Sequence, residues 1–167
     1  VSSVDSGNFF CCLIAVKECL RVNGLSPTLK QRLDLIINAT RLSEFYRERN
    51  KLFSIGYDTD NDRLSHHNYD MLMSEARLLS YAAIATGQAP KEHWRALSRT
   101  MSRSGAYAGA VAWTGTMFEF FMPELLITSK EGSMCYEALK YAFHCQKRRP
   151  QLLRDRRPRS TGGRFPE

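Results

Sequence analysis

Hydrophobic residues recur every three or four positions along most of the chain, which is the spacing of one helix face. The first such stretch begins at Asp5 or Ser6, either of which can cap a helix, and it ends at Gly24. The face that this spacing predicts to be buried consists of Phe9, Cys12, Leu13, Val16, Cys19 and Leu20.

The same spacing predicts further helices over about 27–48 and 70–86. Short helices follow at "PKEHWRAL" and "GTMFEFFMPELL", and a last amphipathic helix covers "EGSMCYEALKYAFHCQKRR". The stretches 51–68 and 99–112 carry turn residues and predict loops. Because no stretch alternates in the way a strand does, we predict an all-α chain with long polar loops.

The helical period is lost after Arg149, where "PQLLRDRRPRSTGGRFPE" is rich in Pro and Gly. From Lys147 onward there are eight basic and two acidic residues, so most of the net charge of +7 lies there. We predict a folded unit over 1–149 and a disordered basic tail over 150–167. The nearly neutral body argues against a nucleic-acid-binding surface.

The five cysteines, at positions 11, 12, 19, 135 and 145, have no spacing typical of a disulfide framework. They predict free buried thiols in a reducing compartment, with a zinc site from Cys135, His144 and Cys145 as the weaker alternative. No run of eighteen apolar residues is present, so no membrane span is predicted in this segment. A chain that begins with Val1 predicts further sequence upstream.

Carboxylates stand among apolar or aromatic neighbours at three places. Asp5 precedes the first helix, Glu75 lies inside "YDMLMSEARLLSY", and Glu119 lies inside "WTGTMFEFFMP". Burying a carboxylate is costly unless it is paired, so each of them needs an explanation. A local role is open for each: Asp5 as a helix cap, Glu119 as an acid beside a helix end, and Glu75 as the partner of Arg63, Arg77 or Arg103.

Aromatic residues flank these acids: Tyr57, Tyr69, Trp94, Trp113, Phe118 and Phe120. Aromatic rings stack on the apolar faces of sugar rings, Asp and Asn side chains bind sugar hydroxyls, and two acids divide the acid and base or nucleophile roles of glycoside cleavage. Carboxylates beside aromatic rings therefore favour a carbohydrate site in the long loops of a helical scaffold.

Four blocks of the sequence, "VSSVDSGN", "NKLFSIGYD", "YDMLMSEARLLSYAAIATGQAPKEHW" and "WTGTMFEFFMP", carry a specific resemblance. In order and spacing they resemble the glucoamylase-like central domain of cyclic β-1,2-glucan synthases. The pattern of that family is close to VDSGNL, LFSIGY, YDLLASEAR, a Trp in HW, and SWSGTMFEYLMP. The resemblance covers roughly residues 1–149.

The resemblance implies part of an (α/α)6 barrel, the glucoamylase-like toroid, that acts on linear β-1,2-glucan and closes it into rings by transglycosylation without a metal or cofactor. It places Glu75 and Glu119 at or near the glucan cleft, and we expect Glu75, an acid in an otherwise apolar helix, to be the catalytic base or nucleophile, with Glu119 as the second catalytic candidate. It also implies a cytoplasmic location at the inner membrane, within a larger multidomain synthase. The residues that it places at the glucan cleft are Asp5, Asn8, Tyr57, Asp58, Tyr69, Asp70, Arg77 and Trp113.

The chain departs from the family pattern at Phe9, where the family has Leu, and in "EFFMP", where it has "EYLMP". The Glu of a "GISES" segment, which the family implies as the general acid, is absent. We therefore expect the intact protein to be an enzyme and this chain alone to be inactive. The alternatives are a non-catalytic glucan-binding fragment and a helical nucleic-acid or partner-binding module that uses the basic tail.

Overall fold

The computed structural model of the chain describes the backbone of residues 1–155 and the side chains of residues 1–149. None of the helices in this range is long and apolar enough to cross a membrane. Helices account for about half of the described residues. They are α1 (Ser3–Val22), α2 (Pro27–Ala39), α3 (Arg77–Ala85), α4 (Glu92–Ala96), α5 (Met117–Phe121) and α6 (Met134–Asp155), with 3₁₀ turns at Leu42–Phe45 and Met122–Leu125.

Helix α6 continues to Asp155, beyond the boundary at Arg149 that the sequence predicts. The remainder of the predicted disordered tail, 156–167, lies outside the described residues. Disorder there stays a prediction.

Within residues 1–155, seven short strands lie mainly in stretches for which the sequence predicts loops. β2 lies between β1 and β5 in an antiparallel sheet, and β3–β4 and β6–β7 form two separate antiparallel pairs. The helical part of the fold prediction is confirmed, but its exclusion of strands is wrong, because strands this short show no readable alternation. The strands are β1 (Tyr46–Arg47), β2 (Leu52–Ser54), β3 (Tyr57–Asp58), β4 (Arg63–Leu64), β5 (Asn68–Tyr69), β6 (Met101–Ser104) and β7 (Tyr107–Ala110).

Two predicted helices are shorter than their apolar spacing suggests. Helix α2 ends at Ala39 rather than near residue 48, and α3 begins at Arg77 rather than near residue 70. In both places a distant partner takes the backbone hydrogen bonds. The N–H of Leu42 donates to Gln88 Oε1 over 2.6 Å, and the N–H of Leu72 donates to the carbonyl of Ser98 over 3.0 Å. Within residues 1–155 the helices form no closed barrel.

Helix α1 contacts α3 most closely at Gly7. A Cβ atom at this position would lie 2.7 Å from the Cα of Leu79, closer than real side chains come to a backbone atom. Only glycine therefore allows this approach. Phe10 is fully buried one turn further along α1, and Cys11 and Ile14 pack partly buried against the same core.

The face of α1 that the sequence predicts to be buried is mostly exposed. Phe9 and Val16 are 59% and 48% exposed, and Cys12 and Cys19 are exposed as well. Helix α1 carries a second apolar stripe, formed by Phe10, Cys11 and Ile14. The prediction is wrong because Gly7 has no side chain, which allows this second stripe to pack against α3. Of the thiols, Cys11 is partly buried, and this burial and then the neighbouring Cys12 raise its pKa to about 11.

Two apolar clusters form the interior of the part of the chain whose side chains are described. The first lies between α1, α3 and the β1–β2–β5 sheet, and it contains Phe10, Leu42, Phe45, Phe53, Leu79, Ala82, Ala83 and Ala89. The second lies where α6 packs on α5 and on the β6–β7 hairpin, and it contains Leu72, Met73, Leu97, Ala110, Ala112, Phe120, Ala138, Leu139 and Ala142. Leu72 and Met73 belong to the second cluster, whereas the residues contributed by α3, which follows them in the chain, belong to the first.

His93 of α4 is fully buried and joins three elements. Its Nδ1 lies 2.8 Å from the carbonyl of Lys51, and its Nε2 lies 2.8 Å from Ser80 Oγ. Since a carbonyl can only accept, Nδ1 carries the proton and Nε2 accepts from the serine hydroxyl. The ring also meets Phe53 edge-on at 4.7 Å. Burial lowers the pKa of His93, although the bond to Lys51 partly opposes this shift.

Replacement of Gly7 with Ala tests the close approach of α1 and α3. Helix propensity alone would stabilise the protein by about 1 kcal/mol. The clash with Leu79 should instead destabilise it by about 1–3 kcal/mol, measured by urea unfolding. The matched control is Ala15→Gly on the exposed part of α1, which should cost about 1 kcal/mol. A Gly7→Ala variant more stable than the wild type would contradict the observed packing.

The buried His93 predicts that stability falls in mild acid. Because its pKa in the folded state is lowered, the unfolded chain takes up the proton first, at about pH 6.5. The buried, neutral His93 therefore stabilises the folded protein fully above this pH, and this stabilisation is lost as the pH falls below it. The melting temperature should drop more between pH 7 and pH 5 in the wild type than in His93→Gln.

The exposed His66 provides the control for this pH effect. His66→Gln should keep the pH dependence of the wild type. By NMR of the wild-type chain, the His93 ring should stay neutral to a pH below the range that is usual for histidine. Protonation of His93 within that usual range would refute the assignment.

Candidate functional site

Trp113 and Tyr69 form a stacked aromatic pair on the surface. Their ring centroids are 5.5 Å apart and the planes differ by 14°. Trp113 Nε1–H donates to Asp70 Oδ1 over 2.7 Å, which fixes the orientation of the indole. Asp70 is held in turn because its carbonyl accepts from the N–H of Ser98 over 2.6 Å. Trp113 is 49% exposed, and since one face of its ring lies on Tyr69, the other is open to solvent.

Two of the predicted carboxylates lie near the Tyr69 hydroxyl. The pKa of Tyr69 is raised to about 12, first by burial and then by the negative charges of Glu75 and Asp5. Asp5 belongs to the first turn of α1, and Glu75 lies two residues before Arg77, the first residue of α3. The close contact of these two helices at Gly7 therefore brings both carboxylates to the aromatic pair.

The structure decides between the local roles that the sequence leaves open for Asp5 and Glu75. The side chain of Ser2, not that of Asp5, caps α1, by accepting from the N–H of Asp5 over 3.3 Å. Glu75 forms no ion pair with any Lys or Arg whose side chain is described. Its Oε2 accepts only a long hydrogen bond of 3.4 Å from Ser74 Oγ. Both carboxylates remain free to bind a ligand.

Glu119 has a structural role instead. It is the third residue of α5 and forms a capping box with Thr116. Its carboxylate accepts from the N–H and hydroxyl of both Thr114 and Thr116, with the Thr114 hydroxyl at 2.6 Å. Burial alone would raise the pKa of Glu119, but these hydrogen bonds outweigh burial and lower it. Glu119 therefore stays ionised and braces the loop that carries Trp113.

Arg77 lies beneath the site rather than in it. Its side chain is 3% exposed, and its guanidinium contacts Glu124 over 2.5 Å and the sulfur of Met73 over 3.3 Å. The same carboxylate accepts from the N–H and hydroxyl of Ser129 at 2.7 and 2.6 Å. This buried ion pair fixes the start of α3, and hence the position of Glu75, against the segment after α5.

Two of the remaining predicted residues, Tyr57 and Asp58, are engaged in local contacts. The Tyr57 hydroxyl contacts Asp62 within the β3–β4 hairpin, and Asp58 holds the same turn through Asn61. The bond to Asp62, and after it burial, raises the pKa of Tyr57. Asn8 lies one turn after Asp5, and its buried Oδ1 has no hydrogen-bond partner in the part of the chain that is described.

Several supporting residues were not predicted from the sequence. "TMFE" at 116–119 matches the capping-box pattern, so the role of Thr116 was readable. Glu124 and Ser98 had no local signal, because their partners are distant in sequence. No group of three metal-binding side chains occurs within the described range, so Cys135, His144 and Cys145 form no such site.

No protein-family model matches the chain. Over 117 residues, 70% of its length, the chain is 41% identical to the cyclic beta-(1,2)-glucan synthase NdvB of Rhizobium meliloti (strain 1021). The chain is related to this synthase. It spans about 4% of the length of that protein, so the comparison concerns one segment of a much larger polypeptide.

The buried Arg77–Glu124 pair provides a stability test. Glu124→Gln leaves the buried guanidinium without a counter-charge and should lower the free energy of unfolding by about 3–5 kcal/mol in urea titrations. Glu18→Gln, at the exposed pair with Arg21, should cost less than about 1 kcal/mol. Replacing both buried partners, Arg77→Met with Glu124→Leu, should recover much of the loss. Equal losses of unfolding free energy in Glu124→Gln and Glu18→Gln would contradict a buried Arg77–Glu124 ion pair.

Proposed function

We propose that this chain supplies part of the glucan-binding rim of a larger protein that makes cyclic β-1,2-glucan, and that its ligand is linear β-1,2-glucan. The observation that carries the proposal is the Tyr69–Trp113 pair, locked by Asp70 and flanked by two free carboxylates. The relationship to a cyclic beta-(1,2)-glucan synthase supports the choice of ligand.

The chemistry of the site suits a neutral sugar. The axial C–H bonds of a pyranose ring carry partial positive charge and pack on the negative face of an indole. The open face of Trp113 offers such a surface. Asp5 and Glu75 are acceptors for hydroxyl groups at the edge of the ring, and a hydrogen bond to a charged acceptor is stronger than one between neutral groups.

In the intact protein we assign Glu75 the role of base or nucleophile, with Tyr69 orienting it. Glycoside chemistry needs a second carboxyl group that is protonated. Glu119 does not suit this role, because four donors hold it ionised. The acid is therefore expected elsewhere in the intact protein. Because Glu119 is held ionised and cannot serve as the acid, we infer that this chain alone binds glucan without cleaving it.

The fold and partners belong to the same proposal. The exposed apolar faces of α1 and α2, at Phe9, Val16, Leu35 and Ile36, suit helices that would pack on further helices of an (α/α)6 barrel. The remainder of a multidomain synthase would supply those helices. We propose a cytoplasmic location at the inner membrane for such an assembly, in line with the family resemblance.

Tryptophan fluorescence tests glucan binding directly, because the chain contains two tryptophans. In Trp94→Phe the remaining signal comes from Trp113, and it should change saturably when linear β-1,2-glucan is added, but not with linear β-1,3-glucan. Asp70→Ala in the same background should weaken binding about tenfold, equivalent to about 1.4 kcal/mol, because the indole loses its anchor. Asp60→Ala, in an exposed turn, should have no effect.

In the intact protein, Glu75→Gln should separate binding from chemistry by lowering turnover by several orders of magnitude, because the amide keeps the shape of the side chain and loses its charge. Affinity for the glucan should fall by less than about tenfold, about 1.4 kcal/mol, since the amide oxygen still accepts a hydrogen bond, although a weaker one. The purified chain should show no hydrolysis or ring formation on linear β-1,2-glucan. Turnover by this chain would mean that Asp5 or Glu119 serves as the acid, against the assignment above. A flat Trp113 titration would reject glucan binding at this site.

A further inference from the structure

A groove lies between α3 and α4, and, like the Tyr69–Trp113 pair, it presents two aromatic side chains. Its volume is about 460 Å³, within the range of about 300–1,000 Å³ that is common for small-ligand sites. Tyr81, Ile84 and Ala85 of α3 form one wall. The other wall is formed at α4 by Trp94 with two basic residues, Lys91 and Arg95.

The two aromatic side chains of the groove differ in how they are held. Tyr81 is 51% exposed, so its ring is open to a ligand. Trp94 is partly buried and packs against the cluster around Leu72. The backbone of α4 at Trp94 is also fixed, because the guanidinium of Arg99 donates to the Trp94 carbonyl over 2.6 Å. The groove therefore has one anchored and one open aromatic side chain.

The polar groups of the groove are all hydrogen-bond donors or hydroxyls. Lys91 and Arg95 are exposed at its rim, Tyr81 adds a hydroxyl, and no carboxylate of residues 1–149 lines it. A ligand with one apolar face and many hydroxyl oxygens satisfies both parts of this surface. An apolar helix would leave the cationic rim unused, and a small inorganic anion would leave the aromatic rings unused.

We propose that the α3–α4 groove is a second β-glucan-binding surface, distinct from the Tyr69–Trp113 pair. The proposal rests on the proposed function, since it takes the same class of ligand. The two surfaces are tied to one helix: Glu75 lies two residues before the start of α3, and Tyr81 lies one turn into it. A sugar ring stacks on Tyr81 and contacts Trp94, and the donors of Lys91 and Arg95 bind its hydroxyl oxygens.

The two tryptophans allow the two surfaces to be measured separately. In Trp113→Phe the fluorescence reports only Trp94, and linear β-1,2-glucan should change it saturably. Tyr81→Ser in this background should weaken that response at least tenfold, whereas Asp70→Ala should leave it unchanged. In Trp94→Phe, which reports Trp113, Tyr81→Ser should have no effect on the glucan titration.

The outcomes distinguish failure of this groove from failure of the proposed function. A response from Trp113 without one from Trp94 would overturn the second surface and leave the first intact. A response from Trp94 that Tyr81→Ser does not weaken would also overturn it. No response from either tryptophan would reject both proposals. Sedimentation velocity without glucan provides a further check, because self-association that Tyr81→Ser abolishes would assign the groove to a second copy of the chain instead.

Discussion

The contact between α1 and α3 at Gly7 is the constraint on which the candidate site depends. It turns the stripe of Phe10, Cys11 and Ile14 toward α3 and leaves the stripe of Phe9 outside. The start of α1 is fixed as well, because the buried Ser3 hydroxyl donates to the carbonyl of Ser54 over 2.6 Å. With α1 held at both points, Asp5 stays close enough to Tyr69 for its charge, together with that of Glu75, to raise the pKa of the tyrosine.

The polar residues of the motifs divide into those that hold the loops and those that remain free. Glu119 and Arg77 are bound by partners inside the structure, and their burial makes those partners necessary. Asp5 and Glu75 have no charged partner among the described side chains. The first group positions the Trp113 loop and the start of α3. The second leaves the carboxylates beside the aromatic pair open to a ligand.

The apolar surface of the molecule points to incomplete packing of the helices. The outer faces of α1 and α2 expose large hydrophobic side chains, and the grooves beside α3 are lined mainly by apolar groups. Aromatic residues within these grooves also suit sugar rings, since the same ring face serves helix packing and stacking on a pyranose. In the α3–α4 groove, the basic side chains of Lys91 and Arg95 favour a sugar as the ligand. The described lining of the other groove, which includes Cys11, Ile14 and Leu78, contains no Lys or Arg.

The sequence by itself determined the helical segments, the loop positions of the aromatics and the set of carboxylates to examine. Apolar spacing and caps act over one or two turns, so they can be read locally. Glu119 belongs to this local part as well, because Thr114 and Thr116, which hold its carboxylate, lie within five residues of it. Tertiary structure alone decided which stripe of α1 is buried, that α3 begins at Arg77, and that Arg77 pairs with Glu124 and not with Glu75. These outcomes depend on Leu79, Ser98 and Glu124, whose distance along the chain leaves no periodic signal.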